Sequence, residues 1–470
     1  MDKISQRRKA LRKKHRKEQA IQLAFLSASL LLLTWLLSQV LVAQSVEFPN
    51  PKLKQAVRNK LGPGIITKTS ITKIRSLNLA SKGFEDMVGI ESLWNLRTLY
   101  LSGNNLQDLT PLAGLKHLKR LYLANNNIHS LQGLEELTNL EYLDLSGNVV
   151  RDLKPLQNLT QLKELNLNYN GIPSLEAINI SAMQGSNLQI LRLRDNYQIQ
   201  DDGRVTYLND VAGVQALPNL RRLDLRFNNV QDLAPITQLK KLEHLDLREN
   251  GLSDIDELAK INTLRKLNLR GNQLQEISPL RSLTNLSYLN LHSNISIKTI
   301  EPIQTLTRMD TLIVRNIPIG DEVRHLANMP RLTRANLQNC SITDPQVLID
   351  LIEQGALQDG KKRSQRAELN LLDNDIQYRD LAQYSKLRDY WDNISLKAPF
   401  QLPRPTNDLM PALSHTPGFY DDPFDLKITC DKPNVRILYT LDGSEPDVDN
   451  LDGNGKPYYV NYYNPVPGTP

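Results

Sequence analysis

Leu140-Glu141-Tyr142-Leu143-Asp144-Leu145-Ser146-Gly147-Asn148 is one instance of a phrase that the chain repeats. The same Leu-x-x-Leu-x-Leu-x-x-Asn pattern stands at Leu96/Leu99/Leu101/Asn104, Leu118/Leu121/Leu123/Asn126 and Leu162/Leu165/Leu167/Asn170. After an interruption it resumes at Leu220/Leu223/Leu225/Asn228 and closes again on Asn250, Asn272 and Asn294, with 22 residues per interval within each run. A fixed period of this length predicts a solenoid, because no repeat can bury its apolar face without its neighbours. Such a stack offers a long concave surface and no ready-made catalytic cleft. Recognition of a partner is therefore the first functional expectation.

Within a repeat, alternate Leu residues suit a short strand that points them inward, leaving the intervening residues on the concave face. The Asn has a separate task. Where the chain bends away from the strand, backbone groups lose their ladder partners, and burial without partners is costly. An amide side chain both donates and accepts, so a column of Asn can satisfy those groups from repeat to repeat. Asn104, Asn126, Asn148, Asn170, Asn196, Asn228, Asn250, Asn272 and Asn294 form this predicted ladder, and Cys340 stands in the same place in a late repeat.

This pattern resembles the leucine-rich repeat family over residues 71–397. A second phrase, Asp-Leu-x-Pro-Leu around Pro111, Pro155, Pro235 and Pro279, makes it similar to the bacterial internalin-type subclass. The resemblance implies an α/β solenoid: a right-handed horseshoe of about 13 repeats, with a parallel concave sheet and a convex side mostly of 3₁₀ turns. Pro suits such turns because it fixes φ and removes a donor that the turn would strand.

The ladder has faults. Asn170 to Asn196 is 26 residues and Asn196 to Asn228 is 32, so Ile180–Asn187 and Gln198–Asp210 are expected to bulge as loops. Ile317 replaces the Asn, and Cys340 to Asn374 is 34 residues with a helix-like stretch at Val347–Leu357. Insertions of this kind lie either on a binding face or at sites of ordinary loop drift. At the other end, residues 47–70 predict a helical cap, with Pro51 at the helix start and Leu53, Ala56, Val57 and Leu61 on one face.

Residues 1–20 hold nine Lys or Arg against two acids, whereas the whole chain sums to +6, so the basic charge belongs to a tail. Residues 21–43 then carry nine Leu and no charge. About 23 residues at ~1.5 Å rise match the ~30 Å apolar thickness of a bilayer. The expectation is a single membrane span with the basic end cytoplasmic and the repeats extracytoplasmic. A cleaved signal peptide ending near Ala43, and hence secretion, is the rival reading. The basic run could instead contact nucleic acid or anionic lipid, but beside a span its topological role is preferred, and no nucleic-acid partner is expected.

Pro399, Pro403, Pro405 and Pro411 mark a linker over 398–416. Beyond it, Tyr420–Cys430, Val435–Leu441 and Tyr458–Tyr463 alternate like strands. The run Tyr439-Thr-Leu-Asp-Gly-Ser-Glu-Pro446 resembles the C-terminal β domain of chitobiases and β-hexosaminidases, also attached to spore-coat-H-type kinase-like proteins. Residues 417–470 would then be a partial β-sandwich that lacks the later strands.

No His-Glu-x-x-His, Cys-x-x-Cys or phosphate-cradling Gly-rich motif is present, so the reading carries no catalytic residue, metal or cofactor. The two Cys give no disulfide framework. One constellation remains, two residues before the ladder position: Arg194, Arg226, Arg248, Arg270, His292 and Arg315. Strand spacing of about 4.8 Å would set these into a basic stripe on the concave face, suited to a protein or an anionic glycan. The competing expectation is mutual neutralisation, since the adjacent column holds Asp224 and Asp246. The functional expectation is a membrane-anchored, extracytoplasmic binding or adhesion protein without enzymatic activity. The alternative is the non-catalytic front of a larger surface enzyme, carbohydrate-active or kinase-like.

Overall fold

In the computed structural model, the described residues are 45–358 and 367–376, the helical positions 13, 15, 17, 19, 22–23 and 25–35, and the strand residues 412–413, 428–429, 435–439 and 459–463. The chain forms two compact units, Met1–Tyr288 and Leu289–Pro470.

The first unit opens on α1 (Pro51–Leu61). Asn50 caps it, accepting from the Lys52 and Leu53 amides at 3.0 and 3.2 Å, and Pro51 takes the first helical position, where an N–H would be stranded anyway. Leu53 and Val57 are buried beside Phe48, whereas Ala56 and Leu61 reach only half-burial. A one-turn helix, α2 (Lys68–Ile71), completes the cap with a reciprocal Thr67/Ser70 capping box.

Three-residue strands then recur: β1 (Ser76–Asn78), β2 (Thr98–Tyr100), β3 (Arg120–Tyr122), β4 (Tyr142–Asp144), β5 (Glu164–Asn166) and β6 (Ile190–Arg192). A hairpin follows, β7 (Tyr197–Ile199) with β8 (Val205–Tyr207), and then β9 (Arg222–Asp224), β10 (His244–Asp246) and β11 (Lys266–Asn268). The sheet of this unit runs β1-β2-β3-β4-β5-β6-β9-β10-β11, all parallel, skipping the hairpin. The register aligns equivalent residues, Leu99 with Leu121 and Leu143 with Leu165, and these central Leu are fully buried.

The return strokes are 3₁₀ turns. Pro111, Pro155, Pro235 and Pro279 each sit in the first turn of one, as the Pro spacing predicts. The ladder forms as expected. Asn104 donates through Nδ2 to the Leu79 and Leu101 carbonyls at 3.0 and 2.7 Å and accepts at Oδ1 from the Lys82 and Phe84 amides at 3.1 and 2.9 Å. Asn126, Asn148, Asn170, Asn250 and Asn272 repeat this role, each donating to a carbonyl of the preceding repeat.

Neither expected bulge is an irregular loop. Ile180–Met183 is a 3₁₀ turn that buries Ile180 and Met183, so it belongs to the core side of the return stroke. Residues 197–207 fold back as the antiparallel hairpin, because Tyr197, Ile199, Val205 and Tyr207 alternate with polar residues at strand period. The ladder passes both insertions intact: Asn196 bonds Leu167 O and Leu193 O at 3.1 and 2.8 Å, and Asn228 bonds Leu193 O and Leu225 O at 2.9 and 2.7 Å.

In the second unit the strands β13 (Thr311–Ile313), β14 (Arg334–Asn336) and β15 (Glu368–Asn370) are parallel neighbours; β12 (Tyr288–Asn290) lies at the division. Asn294 is buried here and donates to Leu291 O at 2.8 Å. Cys340 stands in for the ladder Asn, its Sγ donating to Val314 O at 3.1 Å, and burial pushes its thiol up to about 12. The expected helix at Val347–Leu357 is α3 (Pro345–Glu353), begun by the Asp344 cap and followed by Gly355 at φ 98°. Further on, Ala412–Leu413 pairs with Ile428–Thr429, inside what the Pro spacing marks as linker, and Val435–Tyr439 pairs antiparallel with Tyr459–Tyr463. Cys430 and residues 377–397 lie outside the described residues.

Among the described residues no helix is long and apolar enough to cross a membrane. Residues 25–35 are helical, and Phe25, Leu26, Leu31 and Trp35 on them are exposed.

Candidate recognition face

Each strand of the parallel sheet in the first unit turns its central Leu inward and its two flanking residues outward, so the outward residues form columns at strand spacing. In β2–β4 these columns carry aromatic rings. Tyr100 and Tyr122 are register partners and stack at 4.5 Å between centroids, 13° apart in plane. Tyr142 lies 4.8 Å from Tyr122. Arg120, the register partner of Tyr142, lies 4.8 Å over that ring and donates to Tyr122 Oη from Nε and Nη2 at 3.0 and 2.8 Å. The hydrogen bond to Tyr122 holds the Arg120 guanidinium charged, and burial pushes the Tyr142 hydroxyl up. The recurrence of Tyr at 100 and 122, one repeat apart, is the sequence signal for this cluster.

From β6 onward the columns are charged. Arg192 pairs with Glu164 on the neighbouring strand. Arg226 and Asp224 are both buried, and Arg226 holds the carboxylate through Nε at 3.0 Å and Nη2 at 2.9 Å. Burial pushes the Asp224 carboxyl up against the pull of Arg226. Arg248 repeats the arrangement with Asp246 at 2.9 Å. Arg270 is half-buried, its amide donating to Asn268 Oδ1 at 3.2 Å. His244, near Arg222 at 3.5 Å, is driven down to about 4 by burial and then by the Arg222 and Lys266 charges.

Arg194 differs from the other Arg of this column. It is 6% exposed, and among the described residues it makes no ion pair and its buried Nε has no hydrogen-bond partner. Its guanidinium lies between two rings, 5.4 Å from the centroid of Tyr169 and 5.0 Å from that of Phe227. In the second unit, His292 is buried with Nε2 3.3 Å from Asn316 Nδ2, and Arg315 is half-buried.

An open basic stripe is thus not what these side chains form. Arg226 and Arg248 are neutralised by the carboxylates two residues before them, and Arg194 and His292 are largely withdrawn from solvent. Short strands place Asp(n) and Arg(n+2) on the same face, within reach of each other. That geometry favours the neutralised alternative.

The turn before each ladder residue was not legible as such. It is left-handed throughout the repeats: Gly103, Gly147 and Gly271 have φ of 70°, 66° and 65°, and Asn125 has 55°. Gly and Asn adopt this region at little cost, and their recurrence there is the signal. Tyr169 and Phe227 occupy the same position at φ 58° and 59°.

Comparison with known proteins agrees with this architecture. The family of Leucine Rich repeats (2 copies) matches residues 94–136, 116–158, 138–179, 218–260 and 262–305. No curated protein matches the chain. Among solved structures, an internalin from Listeria monocytogenes is similar, with a TM-score of 0.61 and 26% identity over 76% of this chain and 98% of that one. A leucine-rich repeat protein from Leptospira interrogans shares the fold, with a TM-score of 0.51 and 20% identity over 70% of this chain and 97% of that one. Nothing in these comparisons supports the chitobiase-like reading of residues 417–470. Residues 94–179, 218–260 and 262–305 are leucine-rich repeats, built on the fold of bacterial internalins.

Proposed function

We propose that this chain is a binding protein that recognises a partner protein through the outward face of its repeat sheet, as internalin-like proteins of this fold suggest. The observation that carries the reading is the Tyr100–Tyr122–Tyr142–Arg120 cluster. Four large side chains are ordered against one another on a face where they fill no core, and Tyr and Arg are the residues that dominate interface energetics. The partner class can be tested on a panel of purified surface proteins and uronic or sulfated glycans immobilised separately. Tyr122→Ser with Tyr142→Ser should abolish capture of the protein ligand while leaving the melting curve unchanged. Retained capture by the double variant would sink this reading.

The same proposal places the repeats outside the cytoplasmic membrane, held by the apolar helix within residues 21–43. The charge-free run after a +7 tail supports this, as does the exposure of its Leu side chains. Protease added to cells stripped of their outer barrier should digest the chain beyond Val46. Protected repeats with a cleaved tail would reverse the orientation.

A further inference from the structure

In the β7–β8 hairpin the chain leaves its repeat and presents new surface. Tyr197 faces Tyr207 and Ile199 faces Val205 across it, and all four are exposed, Ile199 by 68%. The opposite face carries Gln198, which donates to Gly171 O, so the polar side is turned to the repeats and the apolar side to solvent. Leu208 N donates to Asn196 O and Gln200 N to Arg204 O, both at 2.8 Å. Antiparallel ladders alternate, so Tyr197, Ile199, Val205 and Tyr207 aim their backbone N–H and C=O groups away from the partner strand. On β8, Val205 and Tyr207 have no partner for these groups among the described residues. An apolar two-stranded sheet with an unpaired edge is a template for another strand.

The root of the hairpin stands between the turns that carry Tyr169 and Phe227. Gly171, two residues after Tyr169, accepts from Gln198, and Asn229, two residues after Phe227, donates to Leu208 O at 2.9 Å. Both aromatics hold the left-handed conformation that this turn position takes in the other described repeats, where Glu249 is a further large occupant. What the two rings enclose is Arg194, a buried cation that pairs with no carboxylate among the described residues. Arg226 and Arg248, by contrast, are held by Asp224 and Asp246.

We propose that the Val205–Tyr207 edge and the Tyr169–Arg194–Phe227 cluster beside it dock an extended, acidic segment of a partner protein. The segment adds a third strand to the hairpin, lays apolar side chains on Ile199, Val205 and the tyrosines, and sets carboxylates in the field of Arg194. Charge selects this occupant. A second copy of the chain meeting itself here would bring Arg194 toward its own mate, like charge against like. The aliphatic surface of Ile199 and Val205 offers a sugar nothing to hydrogen-bond. This inference rests on the proposed binding role and names a second contact for it, apart from the Tyr100–Tyr142 cluster.

The test uses the full chain in detergent and a synthetic probe: an acetylated, amidated decapeptide alternating Ile or Tyr with Glu. Versions with Gln or Lys in place of Glu serve as comparisons. The Glu peptide should bind and slow exchange of the Val205 and Tyr207 amides about tenfold or more, as a new ladder would. The Gln peptide should bind about 5–10-fold more weakly, and the Lys peptide not measurably, since like charge disfavours docking. Val205→Pro removes one outward N–H without touching the inner hydrogen bonds and should weaken the Glu peptide severalfold. Arg194→Met should equalise the Glu and Gln peptides. Should Arg194→Met fail to fold, judged by lost exchange protection at Leu223–Leu225, Val205→Pro and Tyr207→Thr carry the test. Equal binding of the Lys peptide, protection elsewhere than 197–208, or no binding overturns the proposal. So does concentration-dependent self-association that Val205→Pro abolishes, which would assign the edge to a second copy. If these fail while Tyr122→Ser/Tyr142→Ser still abolishes ligand capture, the binding role stands and only this site falls.

Discussion

Between Leu96 and Asn170 the repeats keep strict time, and between Asn170 and Asn228 they do not, yet the Asn ladder is the same in both. Asn148 donates to Leu123 O and Leu145 O at 3.0 and 2.9 Å, and Asn196 donates to Leu167 O and Leu193 O at 3.1 and 2.8 Å. Extra residues in the irregular stretch are expelled from the ladder: four into a 3₁₀ turn on the core side, the rest into a hairpin with its apolar face in solvent. The lesson is that the repeat is defined by the groups it must satisfy, and its length is free. A buried carbonyl without a partner costs more than a longer loop, because loop closure grows only slowly with length.

The comparison breaks if the ladder is not equivalent in the two stretches. Asn148→Ala strands the Ile128 amide, since Leu123 O and Leu145 O still accept from Asn126 and Asn170, whereas Asn196→Ala strands Leu167 O and the Asn170 and Ile172 amides. At roughly 1–3 kcal/mol per buried unsatisfied group, Asn148→Ala should lose about 1–3 kcal/mol and Asn196→Ala about 3–5 kcal/mol in urea unfolding. A cost at Asn196 no larger than that at Asn148 would show that the interrupted stretch relaxes around its insertions.

A smaller effect is expected on the outward face of the irregular side. Asp224→Ala leaves Arg226 buried without its carboxylate and should cost about 3 kcal/mol, since breaking a buried pair exposes the full desolvation penalty of the remaining charge. Asp224→Ala with Arg226→Met should recover most of it. In the regular stretch Arg120→Met removes a more exposed cation and should cost about 1 kcal/mol or less.

Acid separates the first regular run from the run that resumes after Asn228. His244 is held at about 4 in the fold, below its ordinary 6.5, so the unfolded chain takes up the proton first. Stability contributed by neutral His244 is complete above pH 6.5 and is lost as pH falls from 6.5 to 4. After discounting for solvent screening of a partly exposed ring, the loss is about 1–2 kcal/mol. Glu141, lowered to about 2 by its bonds to Lys119 and Lys163, acts in the same sense over a lower window. Its contribution is present above pH 4.5 and disappears between 4.5 and 2. His244→Gln should flatten only the upper window of the stability curve. An unchanged slope between pH 6.5 and 4.5 in that variant would remove His244 from the account.

The smallest effect concerns the hairpin. Replacing residues 198–206 by two glycines should change stability by less than about 1 kcal/mol, as the ladder bypasses it. Loss of cooperative unfolding in that variant would mean that the hairpin is part of the repeat core.

The 22-residue interval, the ladder Asn and the Asp-Leu-x-Pro-Leu phrase were enough to read the strands, the 3₁₀ returns and the buried Leu columns. These are local demands: a period sets which side chains face inward, and a stranded backbone group needs an amide at one defined place. The outward face could not be read in the same way. Arg194, Arg226 and Arg248 are the same residue at the same position of successive repeats. Asp224 and Asp246 supply carboxylates to two of them, whereas Arg192 stands at the equivalent place before Arg194. A partner carboxylate two residues away is visible in the sequence, but whether an Arg is caged between rings from the repeats before and after it depends on neighbours that are 25 and 33 residues away. Only the stacked sheet brings those neighbours within 6 Å, and so tertiary structure alone decided which cation is held between aromatic rings.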